Sequence, residues 1–120
     1  MVNKIRGEVP ITLDGNKYKL VPSFECLCKI EAETGMGIVA LARKVYASDF
    51  TLTEITSIIT HGLNAAGEPA TFGAVGPMVV ASGVLSEGVQ TPVRLFFDYA
   101  ITGGQAKSAE GNAKAAKSSK

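Results

Sequence analysis

The sequence predicts an α+β fold that is mainly helical, with an N-terminal β-hairpin followed by a bundle of four to five short helices. An Asp-Gly turn separates two alternating apolar segments near the N-terminus, and capped amphipathic segments follow it. Of the 120 residues, 46% are hydrophobic and 19% are charged, which is typical of one globular domain. We expect this domain to span residues 1–103, with the hairpin at 8–21 and the helical part at 23–103.

The hairpin prediction rests on the turn Asp14-Gly15. A two-residue turn there fixes the strand pairs as Leu13–Asn16, Ile11–Tyr18 and Val9–Leu20. This register places five apolar side chains on one face, namely Val9, Ile11, Leu13, Tyr18 and Leu20. Pro10 falls opposite Lys19 at a position that owes no hydrogen bond to the partner strand, which an outer strand tolerates. Because an isolated hairpin is marginally stable, we expect the apolar face to pack on helices or on another chain.

Two short helices are predicted next. Ser23 is a good N-cap for a helix from about Phe24 to Thr34, and Gly35 and Gly37 break the chain after it. The helical period places on its inward side Phe24, Leu27, Ile30 and Thr34. A second helix is expected from Ile38 to Tyr46, with one apolar stripe formed by Ile38, Leu41, Ala42 and Val45.

The strongest helix start in the sequence is Thr51-Leu52-Thr53-Glu54, which has the form of a capping box. At 100° per residue, the apolar side of this third helix consists of Leu52, Ile55, Ile58, Ile59 and Leu63. Polar residues occupy the other side, namely Thr53, Thr56, Ser57, Thr60 and His61. The pattern predicts a helix that packs on one face only.

Two more helical segments precede the C-terminal end. One runs from about Phe72 to Leu85 and is interrupted by glycines and a proline. For the last helix, Thr91 is the predicted N-cap and Pro92 the first-turn proline, and the helix ends at 101 or 102, before Gly103-Gly104. Residues 104–120 are net basic and poor in large apolar residues, so we expect a disordered low-complexity tail.

The cysteines, Cys26 and Cys28, do not form a convincing metal or redox site. Residues two apart on a helix point about 200° apart, so they cannot bind one ion together or form an unstrained disulfide. His61 is the one other soft ligand in the sequence, which leaves too few for a zinc site. We expect one cysteine to face the core and one to lie near the surface, with no metal and no cofactor.

Glu54, Ser57 and His61 line one face of the third helix and could be read as an acid, a nucleophile and a base. That face is predicted to be polar and solvent-exposed, and no Gly-rich turn supplies oxyanion donors. His61 is better explained as a cation near a helix C-terminus. The sequence therefore predicts no catalytic residues and a protein that is not an enzyme.

Charge and hydropathy exclude two classes of partner. A formal net charge of +1 gives no general attraction to nucleic acid or to anionic membranes. No apolar run approaches the roughly 18 residues that a membrane helix needs, and no signal-peptide pattern is present. We expect a cytoplasmic protein with free thiols.

The last helix is more apolar than a surface helix of a small domain needs to be. One broad face carries Val93, Phe96, Phe97, Ala100 and Ile101. Leu95 and Tyr99 extend the apolar arc to about 240°. Either this helix is the centre of the bundle, or its additional stripe is an interface with another protein. The second alternative gives three candidate partner-binding residues, Leu95, Phe96 and Tyr99.

Over roughly residues 5 to 104, the chain resembles the tail assembly chaperones of gene transfer agents and related long-tailed, siphovirus-like phages. The resemblance rests on five segments in order, "RGEVPITLDGNKYKL", "FECLCKIEAETGMGIVALARKV", "LTEITSIITHGL", "VVASGVL" and "PVRLFFDYAITGG". It implies a non-enzymatic protein that binds the tape measure protein and recruits tail tube subunits in the cytoplasm of the bacterial host. Some relatives are labelled tail tube components, so the alternative is a structural tail component retained in the particle. Self-association into a homo-oligomer remains open.

Overall fold

The computed structural model describes residues 7–103 and confirms the predicted fold, an N-terminal hairpin followed by helices. The elements are β1 (Val9–Leu13), β2 (Asn16–Leu20), α1 (Phe24–Thr34), α2 (Ile38–Tyr46), α3 (Leu52–Ala65), α4 (Phe72–Ser82) and α5 (Glu87–Thr102). The predicted disordered tail at 104–120 lies outside the described residues. None of the helices within residues 7–103 has the length and hydropathy to cross a membrane.

The hairpin forms in the predicted register. Leu13 pairs with Asn16 and Val9 with Leu20 in an antiparallel ladder. Asp14 and Gly15 both have positive φ, 51° and 85°, as a type I′ turn requires. The predicted apolar face is the buried one, with Tyr18 partly buried at its edge. The turn is fixed to the helices because the Asp14 N–H donates to Ser82 Oγ at 2.8 Å.

The central helix of the bundle is α3, and the prediction that it packs on one face was wrong. Its capping box is present, but Thr56, Ser57 and Thr60 on the predicted solvent side are buried. The reason is that α1 and α4 pack on two sides of α3, while β2 packs on a third. Leu52, predicted to face the core, is exposed in the first turn.

Gly62 on α3 marks the closest approach of three elements. A Cβ atom at this position would lie 3.1 Å from Leu20 Cδ2 of β2 and 3.2 Å from Phe96 Cε1 of α5. The Gly62 carbonyl also accepts a hydrogen bond from the Val21 N–H at 3.1 Å. The missing side chain therefore allows the hairpin and the last helix to meet on α3.

Two helix boundaries differ from the prediction. Helix α5 begins at Glu87 with Ser86 as N-cap, so Pro92 lies inside it and Thr91 is not the cap. The Thr91 hydroxyl instead donates to Glu87 Oε1 at 2.8 Å. Val89 is fully buried, and burial of this side chain stabilises a first turn that the proline would otherwise disfavour. Helix α4 ends at Ser82 rather than near 85.

Helix α1 has the predicted bounds and N-cap but faces the core differently. Ser23 Oγ accepts from the Cys26 N–H at 3.2 Å. The buried residues are Cys26 and Ile30, whereas Phe24, predicted to point inward, is 84% exposed. Ile30 is buried as predicted and Leu27 is partly buried against the core, so the difference is confined to the start of the helix.

Gly62→Val tests the packing constraint on α3. The valine side chain would collide with Leu20 and Phe96, so we expect a loss of about 1–3 kcal/mol in the free energy of unfolding, measured by urea denaturation. Gly73→Val on α4 is the matched control, because a Cβ there meets nothing within 4 Å. Equal stability of the two variants would contradict the close approach at Gly62.

Candidate protein-interaction site

The groove between the hairpin and α5 contains two of the predicted partner-binding residues. Strand β1 packs on α5, and the surface between them encloses a concavity of about 400 Å³. We call this the hairpin–α5 groove, and its lining residues are Glu8, Pro10, Lys19, Leu95 and Tyr99. Its apolar floor comes from α5, while the hairpin supplies the charged rim.

The three candidate residues of α5 have different environments. Leu95 and Tyr99 are partly buried and line the groove. Phe96 is fully buried in the core, where its ring packs edge-on against Phe97 with centroids 5.5 Å apart. Only Leu95 and Tyr99 therefore offer side chains to a partner at this surface.

Tyr99 lies close to Gly7, which precedes the hairpin. Gly7 has a φ of +90°, and a Cβ there would lie 3.0 Å from Tyr99 Cβ and Cγ. A side chain at residue 7 would thus be strained twice, by its backbone angle and by the tyrosine. The glycine therefore lets the backbone pass close to Tyr99.

The rim of the groove carries one ion pair. Lys19 Nζ lies 3.4 Å from Glu8 Oε1, and both side chains retain contact with solvent. Pairs of this kind contribute little to stability because water screens them. Their charges remain accessible to orient a charged partner at the rim.

Pro10 limits backbone pairing at the outer edge of β1. A second concavity of about 450 Å³ continues along β1, between Thr12 and the first turns of α5, and Pro10 lines both. Position 10 is a non-hydrogen-bonded site of the ladder, so its backbone points away from β2, and proline has no N–H to donate there. The edge therefore favours contact through side chains over addition of a further strand.

A second apolar surface, which the sequence prediction missed, lies where α1, α2 and α5 meet. It encloses about 330 Å³ and includes Phe24, Val39 and Ile101, all of them exposed. We call it the three-helix cleft. The signal for it was present in α1, where Phe24 and Leu27 form one apolar stripe and Cys26 and Ile30 form another. Periodicity alone does not tell which of the two stripes faces the core.

The polar residues Glu33, Ser57 and His61 form a cluster that joins α1 to α3. Ser57 Oγ donates to Glu33 Oε1 at 2.6 Å, and His61 Nε2 lies 2.8 Å from the same oxygen. Glu54, the third member of the predicted trio, instead closes the capping box and pairs with Lys44 at 2.8 Å. Because Ser57 and His61 both bond to Glu33, this geometry does not place the imidazole to take the serine proton.

Burial and hydrogen bonding set the chemistry of the remaining ionisable groups near α1. The hydrogen bond from Ser57 and the contact with His61 lower the pKa of Glu33, although burial opposes them.

Cys26 is buried and Cys28 is exposed, both as free thiols, as expected. Burial raises the pKa of the Cys26 thiol to about 12, so it stays protonated and unreactive at neutral pH. Among residues 7–103, no group of three His, Cys, Asp or Glu side chains could hold a metal ion.

Glu33→Gln should lower the free energy of unfolding at neutral pH, and this destabilisation should disappear in acid. The folded-state pKa of Glu33 lies below its ordinary value of 4.5, so ionised Glu33 stabilises the fold at pH 7. The contribution is lost as the pH falls through that lowered pKa. The urea midpoints of wild type and variant should differ at pH 7 and converge as the pH falls below that lowered pKa.

The control for this measurement is Glu25→Gln on the same helix. Glu25 Oε2 lies 3.9 Å from Lys29 Nζ of α1 and both side chains are exposed, so loss of this pair should shift the midpoint little at either pH. A pH-independent difference for Glu33→Gln would contradict the assigned role of the carboxylate.

Comparison with known proteins relates the chain to one family. Neither the curated proteins nor the solved structures contain a match. A family model described as "Phage tail tube protein, GTA-gp10" matches residues 6–98, which is more than three quarters of the chain. The matched residues include the hairpin, α1 to α4 and α5 as far as residue 98, so they contain Leu95 but not Tyr99. The chain belongs to the GTA-gp10 family of phage tail tube proteins.

Proposed function

We propose that this protein is a structural component of a phage or gene-transfer-agent tail, a tube or tail-associated subunit that is retained in the particle. The observation that carries the proposal is the family match over residues 6–98. The surface chemistry supports it, because the hairpin–α5 groove and the three-helix cleft are both apolar concavities suited to contact with other proteins. Its partners are other tail proteins, with the tail tube protein and the tape measure protein as the candidates.

In this proposal the hairpin–α5 groove is the main contact with a neighbouring tail protein. An apolar side chain of the partner would pack on Leu95 and Tyr99, which stay fixed because their helix is anchored by buried Phe96. Lys19 and Glu8 at the rim would set the orientation of the partner through their charges. The groove thus combines an apolar floor with a polar rim, the usual anatomy of a protein interface.

A tail assembly chaperone is the second candidate, in the host cytoplasm during assembly. The observation that favours it is the strong exposure of Phe24 in the three-helix cleft. An open apolar surface of this kind suits transient cover of an aggregation-prone client such as the tape measure protein. The two candidates differ in one measurable property, which is whether the protein stays in the finished particle.

The structural proposal predicts that the protein is present in purified particles. Quantitative mass spectrometry of particles freed from soluble lysate should detect it in multiple copies, at a ratio to the tape measure protein that survives repeated density-gradient purification. Absence from particles, together with recovery of a soluble complex with the tape measure protein, would instead establish the chaperone candidate.

Leu95→Asp should weaken binding to the tail partner without unfolding the domain. A carboxylate placed on the apolar floor would have to lose its hydration when the partner docks, so we expect at least about tenfold weaker binding. The measurement is titration of the tail tube or tape measure protein by calorimetry, with circular dichroism to verify the fold. Leu52→Asp is the matched control, since Leu52 is exposed on α3 and lies outside the groove. Equal binding by the two variants would exclude the groove as the contact.

A further inference from the structure

Two helices of the fold contain a proline, and in each of them a glycine stands four residues earlier. Gly73 precedes Pro77 in α4, and Gly88 precedes Pro92 in α5. Proline has no N–H, so it cannot make the helical hydrogen bond to the carbonyl of the residue four positions before it. The carbonyls of the two glycines therefore lack the donor that an α-helix normally supplies.

Gly88 lines the concavity of about 450 Å³ between β1 and the first turns of α5. It is exposed and has no side chain, so the atoms that it contributes to this wall are backbone atoms. A Cβ at this position would meet Ser86 Oγ at 3.9 Å, an ordinary van der Waals distance, so the space beside the backbone is open. The wall formed by α5 thus contains a hydrogen-bond acceptor that the helix does not use.

The wall formed by β1 contains an unused backbone donor, the Thr12 N–H. Thr12 pairs with Lys17 two residues after Pro10, so it occupies the same kind of non-hydrogen-bonded site in the ladder. Its N–H and C=O therefore point away from β2, toward the outer edge of the strand. Within residues 7–103, Thr12 takes part in no turn, cap or side-chain hydrogen bond. Because Thr12 also lines the concavity, a donor and an acceptor lie on its two walls.

The remaining lining residues suit a polypeptide better than a small ion. Pro10 and Pro92 supply apolar surface on the two walls, while Lys17 and Glu87 place one charge of each sign beside them. Opposite charges leave no net field that would favour an anion or a cation. A peptide backbone has one donor and one acceptor in each residue and no net charge, so it matches both walls.

Pro10 determines how much of a partner's backbone can pair at this edge. Its missing N–H prevents a continuous ladder along β1, so Thr12 is left as a single pairing position. From Gly88 to Leu95 the helix rises by about 10 Å, which is the length of about three extended residues. The concavity and the hairpin–α5 groove share Pro10 as a lining residue, so one extended segment can occupy both.

We propose that the concavity between β1 and α5 binds an extended backbone segment of another tail protein. The Thr12 N–H donates to a carbonyl of this segment, and the Gly88 carbonyl accepts one of its N–H groups. About three residues further on, the segment reaches the hairpin–α5 groove, where an apolar side chain packs on Leu95 and Tyr99. This inference rests on the proposed structural role and adds to it the backbone chemistry of the contact.

Pro92→Ala tests the acceptor. The alanine N–H restores the helical hydrogen bond to the Gly88 carbonyl, so α5 becomes more stable while the acceptor is withdrawn from the concavity. We expect a higher urea midpoint together with about three- to tenfold weaker binding of the tail tube or tape measure protein in calorimetric titration. Pro77→Ala is the matched control, because it makes the same change at Gly73 of α4, outside the concavity. The control should raise the midpoint and leave binding unchanged.

Thr12→Pro tests the donor. Proline at residue 12 removes the N–H without removing a ladder bond, as Pro10 does at the equivalent site of β1. The same weakening of binding is expected, with circular dichroism to verify the fold, and Thr12→Val should bind like the wild type because it keeps the N–H. Hydrogen exchange of the wild type measures the same contact without a variant. By NMR, a saturating tail partner should slow exchange of the Thr12 amide at least about tenfold.

Equal binding by Pro92→Ala and Pro77→Ala, or an unchanged exchange rate of Thr12 in the complex, would overturn the backbone contact. Absence of binding by both tail proteins would overturn it as well. So would a Thr12 amide that is already protected in the isolated protein at low concentration, because the chain would then cover its own site.

These measurements separate this inference from the proposed function, which is tested by the presence of the protein in particles. If the protein is found in particles but Pro92→Ala binds its partner like the control, the backbone contact fails and the tail role stands. If binding depends on Thr12 and Gly88 as expected but particles lack the protein, the structural role fails and the binding site stands.

Discussion

The packing of α3 against the hairpin and α5 at Gly62 is the constraint on which the other surfaces depend. A Cβ at this position would lie within 3.2 Å of both Leu20 and Phe96, so the three elements meet where one of them has no side chain. The Val21 N–H hydrogen bond to the Gly62 carbonyl fixes the base of the hairpin, and the Asp14 N–H bond to Ser82 fixes its turn. With both ends attached, β1 is held along α5 and the groove between them keeps its shape.

The sequence predicts those features that depend on neighbouring residues in the chain, and it does not predict those that depend on contacts with other elements. The hairpin register was correct because the turn and the strand alternation are local, and a slip by one residue would have exposed its entire apolar face. The prediction for α1 was correct for Ile30 and wrong for Phe24, because the helix turns Cys26 rather than Phe24 toward the core, and this choice depends on how α1 packs on α3. The burial of Ser57 could not be predicted either, because its acceptor, Glu33, comes from another helix.

The wide apolar arc of α5 can be explained in the same way. The wide apolar arc was a correct observation, but it left open whether core or interface accounts for it. The core accounts for Phe96 and Phe97, which are fully buried, while Leu95 and Tyr99 line an open groove that our proposal assigns to a partner. Periodicity measures how much of a helix is apolar, and it does not measure how much of that surface the rest of the domain can reach. The different environments of Leu95 and Phe96 come from other elements: Leu95 lines the groove beside the hairpin, whereas Phe96 lies close to Gly62 of α3.

The distribution of charge gives a physical reason to connect these surfaces with assembly. Acidic and basic residues nearly balance, 11 against 12, and the segment from 72 to 86 has none of either. A formal net charge of +1 gives little long-range electrostatic repulsion between molecules, and α4 carries no charged residue that would add to it. Glu8 and Lys19, in contrast, place one charge of each sign at the rim of the groove. The exposed apolar residues of α4 and the charged rim of the groove are therefore two different kinds of surface on one small domain. In the proposed structural role, the charged rim would let the groove select one orientation of a tail partner, because an unsuitable orientation would bring like charges together.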